Sequence, residues 1–303
     1  MIILVFDLFW RFELSKSGVG STAEGAAFCR ACEQYLPEDE RLFIDPLVYS
    51  LMSSLYQWML RSPRMRQFVI NSTEKSVKGL YGEQVLRTCY IDDTLVAALK
   101  LGIRQVVILG AGIDTRAYRL PGMDQAQIFE VDMPRVQNAK KSRLEKVLGN
   151  LPGNIHFIPI DFNEQSIKDV LTGSGFNPSR PAVFIWEAVT QYLQADAVEQ
   201  TLSFVGNCAP SSRIIFTYVL KWIIEHPERD PDAVALMKLS KMKMAPFIFG
   251  LDPDAMPEYL RRFHMKVIED AGKETYEERY LKPKNRMMDV TTGERICTAE
   301  VSA

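Results

Sequence analysis

The sequence predicts a doubly wound α/β fold, and three observations carry that prediction. Beyond Gly102, short apolar runs rich in β-branched and aromatic residues alternate with segments of helical spacing, the pattern of a parallel sheet joined by crossovers. The first run ends in Gly110, Ala111 and Gly112, and the second ends in Glu130, Val131 and Asp132. From Ser21 to about Leu101 the spacing is helical. The chain thus divides into an N-terminal helical cap, 1–101, and a sheet domain, 102–303, that carries an inserted lid at about 221–257.

Each element follows from local pattern. Residues 1–14, MIILVFDLFWRFEL, are interrupted by Asp7, Arg11 and Glu13 and lack a basic start and a cleavage site. They read as a packed amphipathic helix or strand, not a secretion signal. Ser21 and Thr22 cap a helix carrying Ala26, Ala27, Cys29 and Ala31, and further helices begin near Pro46 and Pro63. Strands are predicted at 105–109, 127–131, 155–160, 182–186 and 213–219, with helices at 134–148, 164–172 and 195–207. Five prolines (227, 231, 246, 253 and 257) then break the rhythm, among Met237, Met242, Met244, Phe247 and Phe249, which suggests a mobile cover for an apolar or aromatic ligand. Strands at 265–269 and 296–301 complete seven, as an antiparallel pair closing one edge of a mostly parallel sheet.

Composition narrows the function classes. The chain has 303 residues, 47% of them hydrophobic, enough for a large core. Its net charge of -2 comes from 36 basic and 38 acidic residues without a basic stripe, which argues against nucleic acid as a partner. No stretch approaches the roughly 20 apolar residues of a membrane span. Cys29 and Cys32 form a C-x-x-C with neither a second pair nor a histidine cluster, so no metal site is expected and a reducing, cytoplasmic setting fits the cysteines.

The chemistry concentrates at strand ends. In VVILGAGIDTRAYRL, Gly110 and Gly112 let the backbone turn tightly and a nucleotide-like ligand come close. Glu130 and Asp132 stand where a carboxylate accepts hydrogen bonds from ribose hydroxyls. Thr115 and Arg116 occupy the place where a dinucleotide fingerprint requires a small residue, which weakens a dehydrogenase reading. Asp161 and Phe162 end the third strand, where an adenine would lie, and Trp186 and Glu187 end the fourth, where open α/β sheets bind ligands.

With STAEGAAFCRA, LRTCYIDD, VVILGAGIDTRAYRL, IFEVDMP, PIDF and WEAVTQYL in this order, the chain resembles the leucine carboxyl methyltransferase family and its bacterial relatives over residues 21–301. Those relatives include polyketide-type O-methyltransferases. The resemblance implies a Rossmann-like class I methyltransferase fold with S-adenosyl-L-methionine as cofactor. It implies that Gly110, Asp132, Asp161, Phe162 and Glu187 line the cofactor site, that Arg87 reaches the cofactor's methionine carboxylate, and that Arg30 lies near the same end. The sequence departs from the bacterial pattern at Cys89, where those relatives carry Arg.

The catalytic candidates are Tyr192 and Glu187. Methyl transfer by in-line displacement needs no metal, because alignment supplies most of the effect. A carboxylate acceptor arrives ionised, whereas a hydroxyl needs a base. The expected partner is a small-molecule acceptor bearing a carboxyl or hydroxyl oxygen. A protein C-terminus as acceptor and a catalytically silent cofactor-binding protein are the alternatives.

Overall fold

Five helices precede the first strand in the computed structural model, which describes residues 18–160, 165–242 and 245–302. They are α1 (Gly18–Glu33), α2 (Val48–Leu51), α3 (Ser54–Arg61), α4 (Pro63–Ser76) and α5 (Leu80–Lys100). The expected element at 1–14 lies outside the described residues, as do Asp161, Phe162 and Met244. α1 starts at Gly18, ahead of the predicted cap at Ser21. α4 begins as its sequence implies, with Pro63 in the first turn and the Ser62 hydroxyl accepting from the Met65 amide at 3.4 Å. Phe28, Val48, Tyr56, Leu60 and Val85 form the shared core of these helices.

The sheet has seven strands: β1 (Gln105–Leu109), β2 (Gln127–Asp132), β3 (Ile155–Pro159), β4 (Ala182–Trp186), β5 (Arg213–Val219), β6 (Met265–Ala271) and β7 (Glu294–Val301). Their order is β3-β2-β1-β4-β5-β7-β6. β1 to β5 are mutually parallel, while β7 runs antiparallel to both of its neighbours. β1 and β4 are buried along their whole length, which is why they read as unbroken apolar runs. The winding reverses between β1 and β4 and opens a crevice at their carboxyl ends.

The crossover from β1 to β2 holds one α-helical turn, α6 (Arg116–Arg119), and a 3-10 turn at Met123–Gln125, and the later ones hold α7 (Pro134–Leu148), α8 (Ile167–Gly173) and α9 (Ala195–Gly206). Helix α8 thus starts later than the predicted 164–172. The last two strands are longer than predicted, β6 because a bulge between Val267 and Glu269 lets pairing continue and β7 because it starts at Glu294. Over 221–257 the chain forms α10 (Lys221–Glu225) and α11 (Pro231–Met242), then an extended run tied to β5 by a bridge between Leu220 and Leu251, and enters α12 (Met256–Arg261). Leu236, Phe249, Leu251 and Met256 of this segment are buried. No helix among the described residues is long and apolar enough to cross a membrane.

Candidate active site

A cavity of about 460 Å³ lies over the carboxyl ends of β1, β2 and β4. Gly110, Gly112 and Asp132 form its floor, Arg30, Glu83 and Arg87 reach it from α1 and α5, and Glu187 and Tyr192 come from beyond β4. Leu236, Leu239 and Phe247 close it from the segment after β5. Every predicted site residue that the structure describes lines this cavity except Glu130.

The floor is set by backbone geometry. Gly110 adopts φ +70°, and a Cβ built there would stand 2.5 Å from Val189 Cγ2, so only glycine lets the loop turn under the β4 extension. The Gly110 and Ala111 amides donate to the Val131 carbonyl at 2.8 and 3.1 Å, and the Gly112 amide donates to Asp132 Oδ2 at 2.6 Å. The Asp114 amide donates to the Ala111 carbonyl and the Arg116 amide to Asp114 Oδ1, both at 2.7 Å. These five N–H groups are spent inside the protein, and the helix behind them is one turn long, so the loop is no phosphate cradle.

The two acidic candidates on β2 separate. Asp132, the last residue of the strand, faces the cavity and accepts from the Gly112 and Met133 amides. Burial raises its pKa against those two hydrogen bonds. Glu130 lies one pleat back and is 1% exposed, with Oε2 2.7 Å from Lys140 Nζ of α7. Of the two carboxylates predicted to meet a ribose, Glu130 is thus held off the cavity and Asp132 lines it.

Beyond β1, on the β4 side, buried charges form a continuous network. Arg87 donates from Nε to Glu187 at 2.8 Å, from Nη1 to Glu294 at 2.6 Å and to Glu83 at 3.3 Å, and from Nη2 to Gln84 at 2.7 Å. Glu187 is shared with Arg116, whose Nη1 lies 2.6 Å from Oε2. Arg116 also binds Asp92 at 2.7 Å and pairs with Asp114, and Arg119 grips Asp92 through two contacts of 2.6 and 2.9 Å. Gly82 permits the approach behind this network, because a Cβ there would stand 2.0 Å from the Asp289 carbonyl on the segment leading to β7 and Glu294.

Ionisation follows from the network. Burial pushes the Glu187 carboxyl up, but Arg116, Arg87 and Arg30 outweigh it and hold the group well below the usual carboxylate range. Burial pushes Glu83 up to about 8 against the pull of Arg87, with Glu294 and Glu187 adding to the rise. Burial likewise opposes the charge on Arg87, and Glu294, Glu83 and Glu187 more than restore it.

This arrangement alters the roles expected of the two arginines. A guanidinium has five N–H groups, and Arg87 commits four of them, so it retains one and cannot grip a carboxylate with a fork. Arg30 donates Nε to Asp45 at 3.4 Å and Nη2 to the Ile113 carbonyl, and its Nη1 has no partner among the described residues. Arg30 is the better placed of the two to receive an anion.

Glu187 is aimed by the residue that follows it. Ala188 takes the left-handed conformation, φ +55°, with its amide donating to Thr217 Oγ1 at 2.8 Å, and the Thr190 hydroxyl donates to the Thr217 carbonyl at 2.7 Å. β5 thereby pins both sides of the turn. Tyr192, at its far side, packs against Phe247 with ring centroids 5.5 Å apart.

Sequence reasoning missed Glu83, Asp92, Arg116 and Glu294 as members of the site. One local cue existed, the four-residue spacing of Glu83 and Arg87 on one helix. Glu294 had none, because it meets Arg87 only through the return of β7.

A family model described as leucine carboxyl methyltransferase matches residues 23–206. A Frankia alni protein, named provisionally as an S-adenosyl-L-methionine-dependent methyltransferase, is 32% identical over 238 residues, covering 77% of this chain and 81% of its own. A Mycobacterium avium protein of the same provisional name is 31% identical over 206 residues, 67% of each chain. A crystal structure of a provisionally named methyltransferase from Thermobifida fusca shares the fold, with a TM-score of 0.55 and 14% identity, covering 84% of this chain and 93% of that one. The chain belongs to the leucine carboxyl methyltransferase family.

Proposed function

We propose that the protein transfers a methyl group from S-adenosyl-L-methionine to a carboxyl or hydroxyl oxygen of a small molecule, with a polyketide-like compound as one candidate acceptor. The cofactor is the one named for its relatives. It supplies a methyl group on a positively charged sulfur, open to displacement. The observation that carries the reading is the charge of the cavity wall. Asp114, Asp132, Glu187 and Glu294 line it against Arg30 and Arg87 alone, an acidic surplus suited to a sulfonium cation. A loop whose amides are already engaged points the same way, since it disfavours a pyrophosphate.

In this reading Asp132 orients the ribose from one side of β1, and Arg30 takes the carboxylate of the methionine end on the other. Arg87 holds Glu187 in place and adds one hydrogen bond. Residues 18–101 cap the cofactor, and the segment 221–257 covers the acceptor. Tyr192 and Phe247 set the acceptor oxygen in line with the methyl carbon. A carboxylate acceptor arrives ionised, whereas a hydroxyl needs a base. We place the protein in the cytoplasm on its cysteine usage alone.

Calorimetry with S-adenosylhomocysteine, followed by mass spectrometry for the gain of one methyl on candidate acceptors, tests this. Mild alkali then separates the two chemistries, because a methyl ester releases methanol and a methyl ether does not. No affinity for the homocysteine product would overturn the reading.

A further inference from the structure

Arg30 reaches the cavity from α1, and its aim depends on a carboxylate in the loop that follows that helix. Asp45 lies between α1 and α2 with its side chain fully buried. Its Oδ2 accepts from Arg30 Nε at 3.4 Å and from the Thr115 hydroxyl at 2.7 Å, while Oδ1 accepts from the Val48 amide at 3.1 Å. The Asp45 amide donates to Gln34 Oε1 at 2.9 Å, which ties the loop to the end of α1. One side chain thus joins α1, α2 and the loop after β1. Arg119 Nε lies 3.8 Å from the same Oδ2, but Arg119 is held by two shorter contacts to Asp92. Among the described residues Arg30 pairs with no carboxylate except Asp45.

A guanidinium on a long stem loses rotamer freedom when it binds an anion, and fixing it beforehand reduces that loss. Arg30 is fixed in this way. Asp45 holds Nε and the Ile113 carbonyl holds Nη2, while Nη1 is accessible and has no partner among the described residues. The restraint also has a direction. Arg30 stands close enough to Glu187 to help keep its carboxyl below the usual range, yet it spends its hydrogen bonds on Asp45 and Ile113. Asp45 therefore supplies the counter-charge that keeps Arg30 from joining Arg87 and Arg116 on Glu187. Thr115, which departs from the dinucleotide pattern, gains a role as well. Its hydroxyl donates to Asp45 and accepts from Arg119 Nε at 3.1 Å, so the loop that floors the cavity and the arginine above it share one anchor.

We propose that Asp45 is the positioning residue for anion recognition: with Thr115 it holds Arg30 by Nε and so presents Nη1 to the carboxylate of the cofactor. The proposal rests on the methyl-transfer reading for its occupant, and it adds to that reading a residue that stands outside the cavity wall.

The test compares binding of S-adenosylhomocysteine and S-adenosyl-3-thiopropylamine, which lacks only the carboxylate, to the full chain by calorimetry. The wild-type protein is expected to prefer S-adenosylhomocysteine by at least about 10-fold, the worth of one charge-assisted hydrogen bond. An asparagine has one acceptor oxygen and no charge, and cannot serve both Val48 and the pair of Arg30 and Thr115. Asp45→Asn is therefore expected to shrink the preference by at least about 5-fold, with affinity for the amine kept within about twofold, which also reports an intact fold. In an Arg30→Met background the same substitution is expected to change the preference by less than about twofold. A merely structural role would instead weaken both ligands alike and persist without Arg30. Equal weakening of both ligands, a preference that stays or rises in Asp45→Asn, or an undiminished effect in the Arg30→Met background would each overturn the assignment. Where Asp45→Asn does not fold, Thr115→Val decides, since it removes one donor to Asp45 and should lower the preference in the same sense; a wild-type ratio there overturns the assignment too. Failure of the wild-type protein to bind S-adenosylhomocysteine brings down the methyl-transfer reading, whereas normal binding of it without preference over the amine brings down only the role of Asp45.

Discussion

The two ends of the cavity are built on opposite plans. Around Glu187 the wall is made of buried charges that hold one another, with Arg87 and Arg116 each touching three carboxylates. Along Val189, Leu193, Leu236, Leu239 and Phe247 it is apolar. Fixed charges cost solvation when buried, and they resist displacement once paired. An apolar wall is adaptable and tolerates changes of shape. The contrast teaches that the first end is organised before any ligand arrives and suits one unvarying molecule, while the second leaves room for the acceptor to differ.

The largest effect should come from cutting the charged end. Arg116→Met leaves Glu187, Asp114 and Asp92 short of a counter-charge in the interior and should cost about 3–5 kcal/mol in urea denaturation. Leu239→Met, at the apolar end, should cost less than about 1.5 kcal/mol. Equal costs would break the comparison.

Next in size is Gly110→Ala, where a strained φ and the approach to Val189 combine. Strain of about 1–3 kcal/mol predicts a loss of stability of that size in urea denaturation. Adding Val189→Ala relieves the contact at 2.5 Å and should restore part of that loss.

A smaller effect is a pH slope. Glu83 has a folded pKa of about 8 against an ordinary value of 4.5, so the folded state keeps a proton that the unfolded chain has released between those values. Its contribution to stability is full below 4.5 and is lost as the pH rises through about 8. Glu187, held below the ordinary range, acts in the opposite sense and weakens the fold only in acid. The melting temperature should therefore decline from pH 6 to 9, at about 2–4 °C per kcal/mol, and Glu83→Gln should flatten the decline. A variant as steep as the wild type would assign the slope elsewhere.

The smallest effect belongs to Tyr192→Phe. Affinity for S-adenosylhomocysteine should not change, while methyl transfer to a hydroxylated acceptor should slow by about 3- to 10-fold, the worth of one hydrogen bond. Unchanged turnover would remove Tyr192 from the chemistry and leave it a packing partner of Phe247.

The sequence made the sheet legible because burial on both faces writes strands as apolar runs, and β1, β4 and β5 fall at the predicted positions. Gly110, Asp132 and Glu187 were legible for a related reason, since each terminates such a run and the carboxyl ends of parallel strands converge on one crevice. Glu130 and Asp132 could not be told apart, because residues two apart on a strand share a face. Only the depth of Glu130 under α7, where Lys140 reaches it, distinguishes them. The charge network was hidden for want of locality, as Arg87 and Glu294 are separated by 207 positions.

The position of β7 has a consequence for synthesis of the protein. Although made after β6, it lies inside it, between β5 and β6, and it carries Glu294 to Arg87. A ribosome that has delivered the chain only as far as β6 has produced a sheet with one row of β5 bonding groups unanswered and an Arg87 lacking one of its carboxylate partners. The chain must therefore keep β6 undocked until translation has passed Val301, and only then can the charged end of the cavity reach its final balance.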